Sequence, residues 1–538
     1  MFSRRGLWAA AGLLLIGLGL GYGRLFPSKA KTSGPAAICL LPFTNLSNDP
    51  AWDWMSDAGP LMVAAQLEGQ PGVRVGMARS VAEAAAQGWA EVAHVTFRAD
   101  GGRWETALTR EELSGHTMLP EQQYRGSSAT GGLIWAARMV GGGRTELRPL
   151  PTRSVEAMRL FATQNFQDAA RADSSFLMAW RGLAETRLRS GDRSGARQAI
   201  AQALEANPKL EEREKLGLKV LDAQAAGDPG KLADATLGWA QANPGVEGAQ
   251  LTAAAAATQA RRFEQASKLY ETALRLNPAN AEAWNLLGYA RGYGGDLKGA
   301  AEAFASYAAK APNSANPLDS AGEILLRAGR FAEAEKKFLE AVQKQPDFLD
   351  GYCRAKAAFA RYLSGDTSGA SKLFEEYLKV VGAKSAPIAG LQRAVWQRAT
   401  GNEKDARAAL AQAGKPGQNL ALLWDVEEGK GPAGALPEGF RLLAQKKFGE
   451  AAEYWRKAYD AAGPSADSQA REMLAWCLVE TGKKAEAAEL LKVWSFPSQP
   501  AEMFTPFFYW PRTFRLREAV GSQARSTSTA LTEPAGKR

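Results

Sequence analysis

The stretch AEAWNLLGYARGYGGDLKGAAEAFASYAAKAPNS, Ala281 to Ser314, decides how this chain is read. Shifted by 34 residues, its special positions recur: Gly288 falls on Gly322, Ala300 on Ala334, Phe304 on Phe338 and Pro312 on Pro346. One repeat earlier, Ala266, Tyr270, Ala273 and Pro278 hold the same places. Further upstream Trp180, Leu183, Ala196, Ile200, Ala203 and Pro208 do so again, and Gly482, Ala487 and Leu491 mark a repeat near the C-terminus. A fixed period of this length marks a stacked array. Two antiparallel helices per repeat explain each position. Trp284 and Leu287 fill the gap between the helices, and Gly288 lets the backbones approach. Ala300 lies at the closest contact on the second helix, and Phe304 anchors that helix to the next repeat. Pro312 ends it, because proline cannot donate the helical hydrogen bond. Each pair has an apolar face that it cannot bury alone, so repeats must stack.

The spacing of Trp284, Leu287 and Gly288, followed by Ala300, Phe304 and Pro312, resembles the tetratricopeptide repeat. The fold expected is mainly α: a tetratricopeptide-repeat superhelix, or α-solenoid, over residues 154–495. A small α/β domain and one transmembrane helix precede it. Lys415 to Gly439, rich in Gly and Pro, reads as an irregular connector that breaks the phase. Residues 496–519 are aromatic-rich and read as a C-terminal cap, and residues 520–538 as a disordered tail.

Stacked helix pairs curve so that the first helix of each repeat lines a concave groove. On that face the sequence places Glu282, Asn285, Tyr289 and Tyr293, then Asn316, Asp319, Glu323 and Arg327 in the next repeat. Upstream it places Arg181, Glu185 and Arg189. Acids, bases and tyrosines together suit an extended peptide or a partner helix. The family's clamp for C-terminal carboxylates needs Lys, Asn and Arg together on this face. Asn285 alone matches, so that specificity is not carried over.

The N-terminus, MFSRRGLWAAAGLLLIGLGLGYGRLF, carries no charge from Leu7 to Gly23. About twenty helical residues rising about 1.5 Å each span one hydrocarbon core. Arg4 and Arg5 precede the run and favour a cytoplasmic stub, although Arg24, Lys29 and Lys31 follow it. The small-residue site that a cleaved signal peptide needs is poor, so residues 1–31 read as stub, uncleaved anchor and linker. The bulk of the chain is then expected on the periplasmic side of an inner membrane. Gly17 and Gly21, like Gly19 and Gly23, have the spacing of helix dimers, which leaves a homodimer open.

Residues 35–150 have a different texture. AAICLLPF reads as a buried strand that Pro42 stops, with Asn45, Ser47 and Asn48 supplying turn hydrogen bonds. A helix follows over Trp54 to Glu68, with Pro60 pointing to a start beyond it. VRVGM reads as a strand and RSVAEAAAQGW as a helix. AHVTFRAD-GG-RWETALTRE reads as a hairpin, and GSSATGGLIWAARMV as a closing helix. The order β-α-β-α-β-β-α implies a small α/β sandwich. LPFTNLSNDPAWDW followed by VRVGMARSV resembles the TolB-like N-terminal domain of bacterial envelope and sensor proteins. Leu41, Pro42, Phe43, Asn45, Leu46, Ser47, Asp49, Pro50, Asp53 and Trp54 stand at that family's places. The resemblance implies a binding domain of the envelope.

Composition narrows the function. The formal charge of +9 is spread over 538 residues with acids interleaved, and no basic stripe with aromatic platforms points to nucleic acid. Cys39, Cys353 and Cys477 are far apart without metal spacing, and His94 and His116 are the whole histidine content. No phosphate-cradling GxGxxG or GxxxxGK follows a strand. Gly141 to Arg144 reads as a linker. The acid pairs Glu111–Glu112, Glu211–Glu212 and Glu375–Glu376 read as solvated faces, and SGDRSG and SGDTSG as helix-turn chemistry. The expectation is a non-enzymatic, membrane-anchored scaffold without cofactor or metal that binds protein or peptide partners in the groove. The alternative is a sensory ectodomain that signals through helix dimerisation to a separate cytoplasmic partner.

Overall fold

The computed structural model describes residues 36–68, 70, 73–86, 89–143, 146–428, 430, 436–504 and 510–522. The expected transmembrane stretch with its glycines, and the tail from residue 523, lie outside them. Among the described residues no helix is long and apolar enough to cross a membrane.

The N-terminal part comprises β1 (Ala36–Leu40), β2 (Thr44–Asn45), α1 (Met55–Leu67), β3 (Val73–Met77), α2 (Val81–Ala86), β4 (Glu91–Asp100), β5 (Arg103–Glu112), β6 (Thr117–Met118), β7 (Gln122–Gly126) and α3 (Ala129–Val140). The sheet runs β3-β1-β4-β5-β6, with β2 beside β4 and β7 beside β5. β1 is central and parallel to both neighbours, as its unbroken apolar run requires. β4 and β5 form the expected hairpin. Gly101 and Gly102 both have positive φ, 51° and 88°, which a two-residue turn of matching twist demands. Pro42 interrupts the pairing without ending it. Leu40 lies opposite Ala93 and Thr44 opposite Thr96, four residues against three, so the strand bulges and resumes. β6 and β7 were not expected. The former has two residues, and the latter, Gln-Gln-Tyr-Arg-Gly, shows no apolar alternation.

The reading of Pro60 needs correction. α1 starts at Met55 and passes through it. Proline cannot donate to the carbonyl of Ser56, four residues back. That carbonyl instead accepts the Phe43 N–H at 3.0 Å, so the missing helical bond becomes a tie to the sheet.

The helices continue with α4 (Val155–Ala162), α5 (Phe166–Ala172), α6 (Leu177–Arg189), α7 (Arg193–Ala206), α8 (Glu212–Ala226), α9 (Pro229–Ala242), α10 (Glu247–Gln259) and α11 (Phe263–Leu276). Then come α12 (Ala281–Tyr293), α13 (Leu297–Lys310), α14 (Asn316–Arg327), α15 (Phe331–Lys344), α16 (Cys353–Leu363), α17 (Thr367–Lys384), α18 (Ala386–Ala399), α19 (Glu403–Gln412) and α20 (Gly414–Glu427). The last are α21 (Glu438–Ala444), α22 (Phe448–Ala461), α23 (Ser468–Glu480), α24 (Lys484–Leu490) and α25 (Trp510–Ala519). The chain forms two compact units, residues 1–256 with 272–280, and residues 257–271 with 281–538. In the first, the sheet's core (Ile38, Phe97, Leu133) runs on without a break into Met158, Ala169, Phe176 and Ala179 of the first helices.

One turn recurs in both units. Gly191, Gly295 and Gly365 leave the first helix with positive φ. Asp192, Asp296 and Asp366 cap the second helix, each accepting the N–H of Gly195, Gly299 or Gly369 at 2.8 Å. A Cβ on those last glycines would lie about 2 Å from the aspartate oxygen and would displace the capping carboxylate. Gly288 and Gly322 sit beneath the rings of Phe304 and Phe338, where a Cβ would come within 2.5 Å. Phe304 thus fills the space over the glycine of its own repeat and also packs on Ile324 of the next.

The connector expected over Lys415 to Gly439 is corrected in its first half. α20 is a helix with Leu420 and Trp424 buried. Gly414, at φ 67°, turns the chain between α19 and α20, and Pro416 falls in the first turn, where its missing N–H has no helical partner to lose.

Candidate partner-binding groove

The first unit bears Arg181, Glu185 and Arg189 on α6. Arg189 is exposed, and Arg181 and Glu185 are half-buried. Burial raises the Glu185 carboxyl pKa, and the nearby Arg181 and Arg189 only partly offset it. The α/β part braces the neighbouring α8: Arg148 donates to Glu211 at 2.8 Å and to Glu214 at 3.1 Å, and Arg213 pairs with Glu68.

The second unit brings the other expected groove residues together, then covers most of them. Glu282 is exposed and Asn285 half-buried. The Asn285 Oδ1 atom is out of solvent and has no hydrogen-bond partner among the described residues. Asn316 donates to the Tyr307 hydroxyl at 3.0 Å, across to the preceding repeat. Tyr289 donates to Glu323 at 2.8 Å. Lys356 of α16, fully buried, donates to Asp319 at 2.7 Å and to Glu323 at 2.6 Å. Burial alone would lower the Lys356 pKa, but Glu323 and Asp319 outweigh it and the net shift is upward. Burial also holds the Glu323 carboxyl above its ordinary range, against the pull of Lys356.

Arg327 belongs to a second cluster. It donates both terminal nitrogens to Asp467 at 3.3 Å and lies 5.3 Å over the Tyr293 ring. Asp467, fully buried before α23, also takes Arg261 at 2.7 Å and Arg471. Burial pushes the Asp467 carboxyl up, yet Arg471, Arg327 and Arg261 outweigh it and hold it below its ordinary value of 3.8. Burial brings the Arg471 guanidinium down to about 10. Arg261 also donates to the carbonyls of Tyr459 and Ala462 at the end of α22, where the helix dipole favours a cation.

Beside this cluster lies the chain's own segment Trp494–Pro497, without regular secondary structure, between α24 and the 3-10 turn at Pro500–Phe504. The Trp494 N–H donates to the Arg327 carbonyl at 2.8 Å, and the Tyr352 hydroxyl to the Pro497 carbonyl at 2.9 Å. Arg471 donates to the Ser495 hydroxyl at 2.6 Å. Arg517 donates to the Val493 carbonyl at 3.1 Å and lies 3.6 Å over the Trp494 ring. Behind it Trp510, fully buried, stacks on Tyr362 and meets Phe359 edge-on. In this unit residues 494–497 thus lie against Arg327, Tyr352 and Arg471.

Sequence reading missed Lys356, Asp467, Arg261 and Arg471. Arg261 and Asp467 lie 206 residues apart, and no local pattern links them. It also misplaced Glu111. This residue is on a strand, nearly buried, and joins both histidines: His94 Nε2 at 2.9 Å and His116 Nδ1 at 3.2 Å. These hydrogen bonds, His94 first, hold its carboxyl below the ordinary range. Glu211 caps α8, and Glu375 pairs with Arg393 at 2.8 Å. Among the described residues no group of three or more His, Cys, Asp or Glu stands where it would hold a metal ion.

Comparison with known proteins agrees with this architecture. A family model described as "TPR repeat" matches residues 258–292, and one described as "Tetratricopeptide repeat" matches residues 437–500. The chain carries tetratricopeptide repeats, a module that generally mediates protein–protein interaction. Among solved structures it is similar to MamA (21% identity, 32% of this chain, 92% of that one, TM-score 0.27). It is also similar to a thermophilic TPR protein of Thermus thermophilus (20%, 34% and 98%, TM-score 0.25). A third is YrrB, a TPR protein with an unusual peptide-binding site (14%, 40% and 91%, TM-score 0.23). Superpositions this loose carry nothing about partners. No curated protein sequence matches.

Proposed function

We propose that this protein is a non-enzymatic scaffold that binds protein or peptide partners on the first-helix face of its repeats. The observation that carries this reading is Asn285. Its side-chain oxygen is a desolvated acceptor without a donor among the described residues, beside exposed Glu282. Such an acceptor is unfavourable by about 1–3 kcal/mol until a donor arrives. A backbone N–H of a bound segment supplies one. Arg181, Glu185 and Arg189 form a charged face of the same kind on α6, half open to water.

In the same reading, the apolar run Leu7 to Gly23 anchors the chain in the inner membrane, with residues 36–522 on the periplasmic side. The α/β part, TolB-like in its Leu-Pro-Phe strand end and Asn-Leu-Ser turn, docks a component of the bacterial envelope. Site-specific photo-crosslinking from Glu282 in membranes tests the groove. A partner captured by the wild-type chain and lost in Asn285→Ala or Arg181→Glu supports the proposal. A partner that survives both changes refutes it. Protease protection of the full chain in spheroplasts tests the topology.

A further inference from the structure

The segment over the second unit's groove is seated like a ligand. It has no regular secondary structure of its own, and side chains and one helix-end carbonyl of the unit hold its main chain. Trp494 N–H reaches the Arg327 carbonyl, Pro497 O takes the Tyr352 hydroxyl, and Ser495 O takes the Trp510 indole N–H at 3.4 Å. Its alternate residues face different surroundings. Trp494 packs edge-on to Phe331 and below Arg517, Ser495 reaches Arg471, and Phe496 packs at the margin of the aromatic core. Main-chain bonds of this kind give a bound segment its attachment, and side chains in separate surroundings give it selectivity.

Arg327, Asp467 and Arg471 beside it are buried or nearly so, and burying ion pairs rarely stabilises a fold beyond what apolar side chains would. Of these, Arg471 reaches the segment itself, at the Trp494 carbonyl, 3.4 Å, and at the Ser495 hydroxyl, 2.6 Å. We infer that Val493–Pro497 is an internal ligand. An outside partner with an extended aromatic-Ser-aromatic-Pro segment takes the same seat when the internal one leaves. This rests on the partner-binding reading and adds regulation to it. The groove is closed by default, and a partner opens it only through its greater affinity for the open state.

The test uses the full-length protein and a fluorescent peptide of residues 490–500, LLKVWSFPSQP, with a scrambled peptide as control. Trp494→Ala empties the main side-chain seat of the internal segment, and Phe496→Ala removes a second side chain of that segment while leaving the seat itself unchanged. The expected result is that anisotropy shows the peptide binding Trp494→Ala at least tenfold more tightly than wild type, with Phe496→Ala between them and no binding of the scrambled peptide. Native-state hydrogen exchange at 493–496 is expected to be faster than in α16. Equal or absent peptide binding in wild type and both variants, each with native circular dichroism, overturns the inference. If Trp494→Ala does not fold, Phe496→Ala against wild type decides it. The two readings fail separately. Peptide binding without partner crosslinks from Glu282 leaves the internal ligand standing and removes the partner, and crosslinks without peptide binding do the reverse.

Discussion

The two units use the same repeat to different ends. In the first, the helices extend a sheet's core, and a charged first-helix face on α6 stays half open. In the second, the corresponding face becomes the interior, with three arginines on one aspartate and the segment bearing Trp494 beside them. The difference lies in what the last helices and the segment after α24 bring to that face: Asp467 and Arg471 at α23, and Trp494 beyond α24. Gly182, Gly288 and Gly322 each lie under a phenylalanine ring, in the first unit as in the second. A repeat thus specifies its own packing, and what covers its concave face is decided elsewhere in the chain.

The sharpest break between the units is expected at Asp467. Asp467→Ala leaves Arg261, Arg327 and Arg471 without their shared carboxylate and should destabilise the second unit by about 3–5 kcal/mol, read by urea unfolding. A loss below about 1 kcal/mol would mean that water solvates the cluster. Next in size is Gly288→Val, which drives a side chain into the Phe304 ring. A loss of about 1–3 kcal/mol is expected.

Acid sharpens the comparison further. Asp467 binds its proton more weakly folded than unfolded, so its contribution is present above its ordinary value of 3.8 and is lost as pH falls below that, towards the lower folded value. Glu472, half-buried and accepting from Thr513 at 2.7 Å, runs the other way. Its raised pKa gives stability that is present below its ordinary value of 4.5 and lost as pH rises through the folded value. The acid limb of unfolding should flatten in Asp467→Asn, and stability near neutral pH should rise in Glu472→Gln. The smallest effect belongs to the open face. Arg189→Glu should change stability by no more than about 0.5 kcal/mol while altering partner crosslinking.

The helix pairs were legible because their period returns glycine, alanine and proline to fixed places, as at Gly288 and Gly322, Ala300 and Ala334, and Pro312 and Pro346. The central strand and the Gly-Gly hairpin were legible from an apolar run and a turn dipeptide. β7 was not, because its residues are polar and its place is set by pairing with β5. That one face carries Tyr289 and Glu323 together across two repeats was legible by helical spacing. Its cover was not, because Arg327 meets Asp467 across 140 residues, and ion pairs at that range leave no trace in local pattern.

Pro60 shows how a local rule is absorbed: the bond it forbids is remade with Phe43, which no helix rule foresees.

The three cysteines have a use of their own. Cys39 lies in the central strand, Cys353 touches Asp319 at 3.3 Å under the covered groove, and Cys477 sits in α23. Burial pushes the Cys39 and Cys477 thiols up to about 12 and raises Cys353 as well. None reacts while its surroundings are closed, since the thiolate is the nucleophile. Each is therefore a clock for one region. The order in which an alkylating reagent reaches them reads out which part of the molecule opens first, without a label being introduced anywhere.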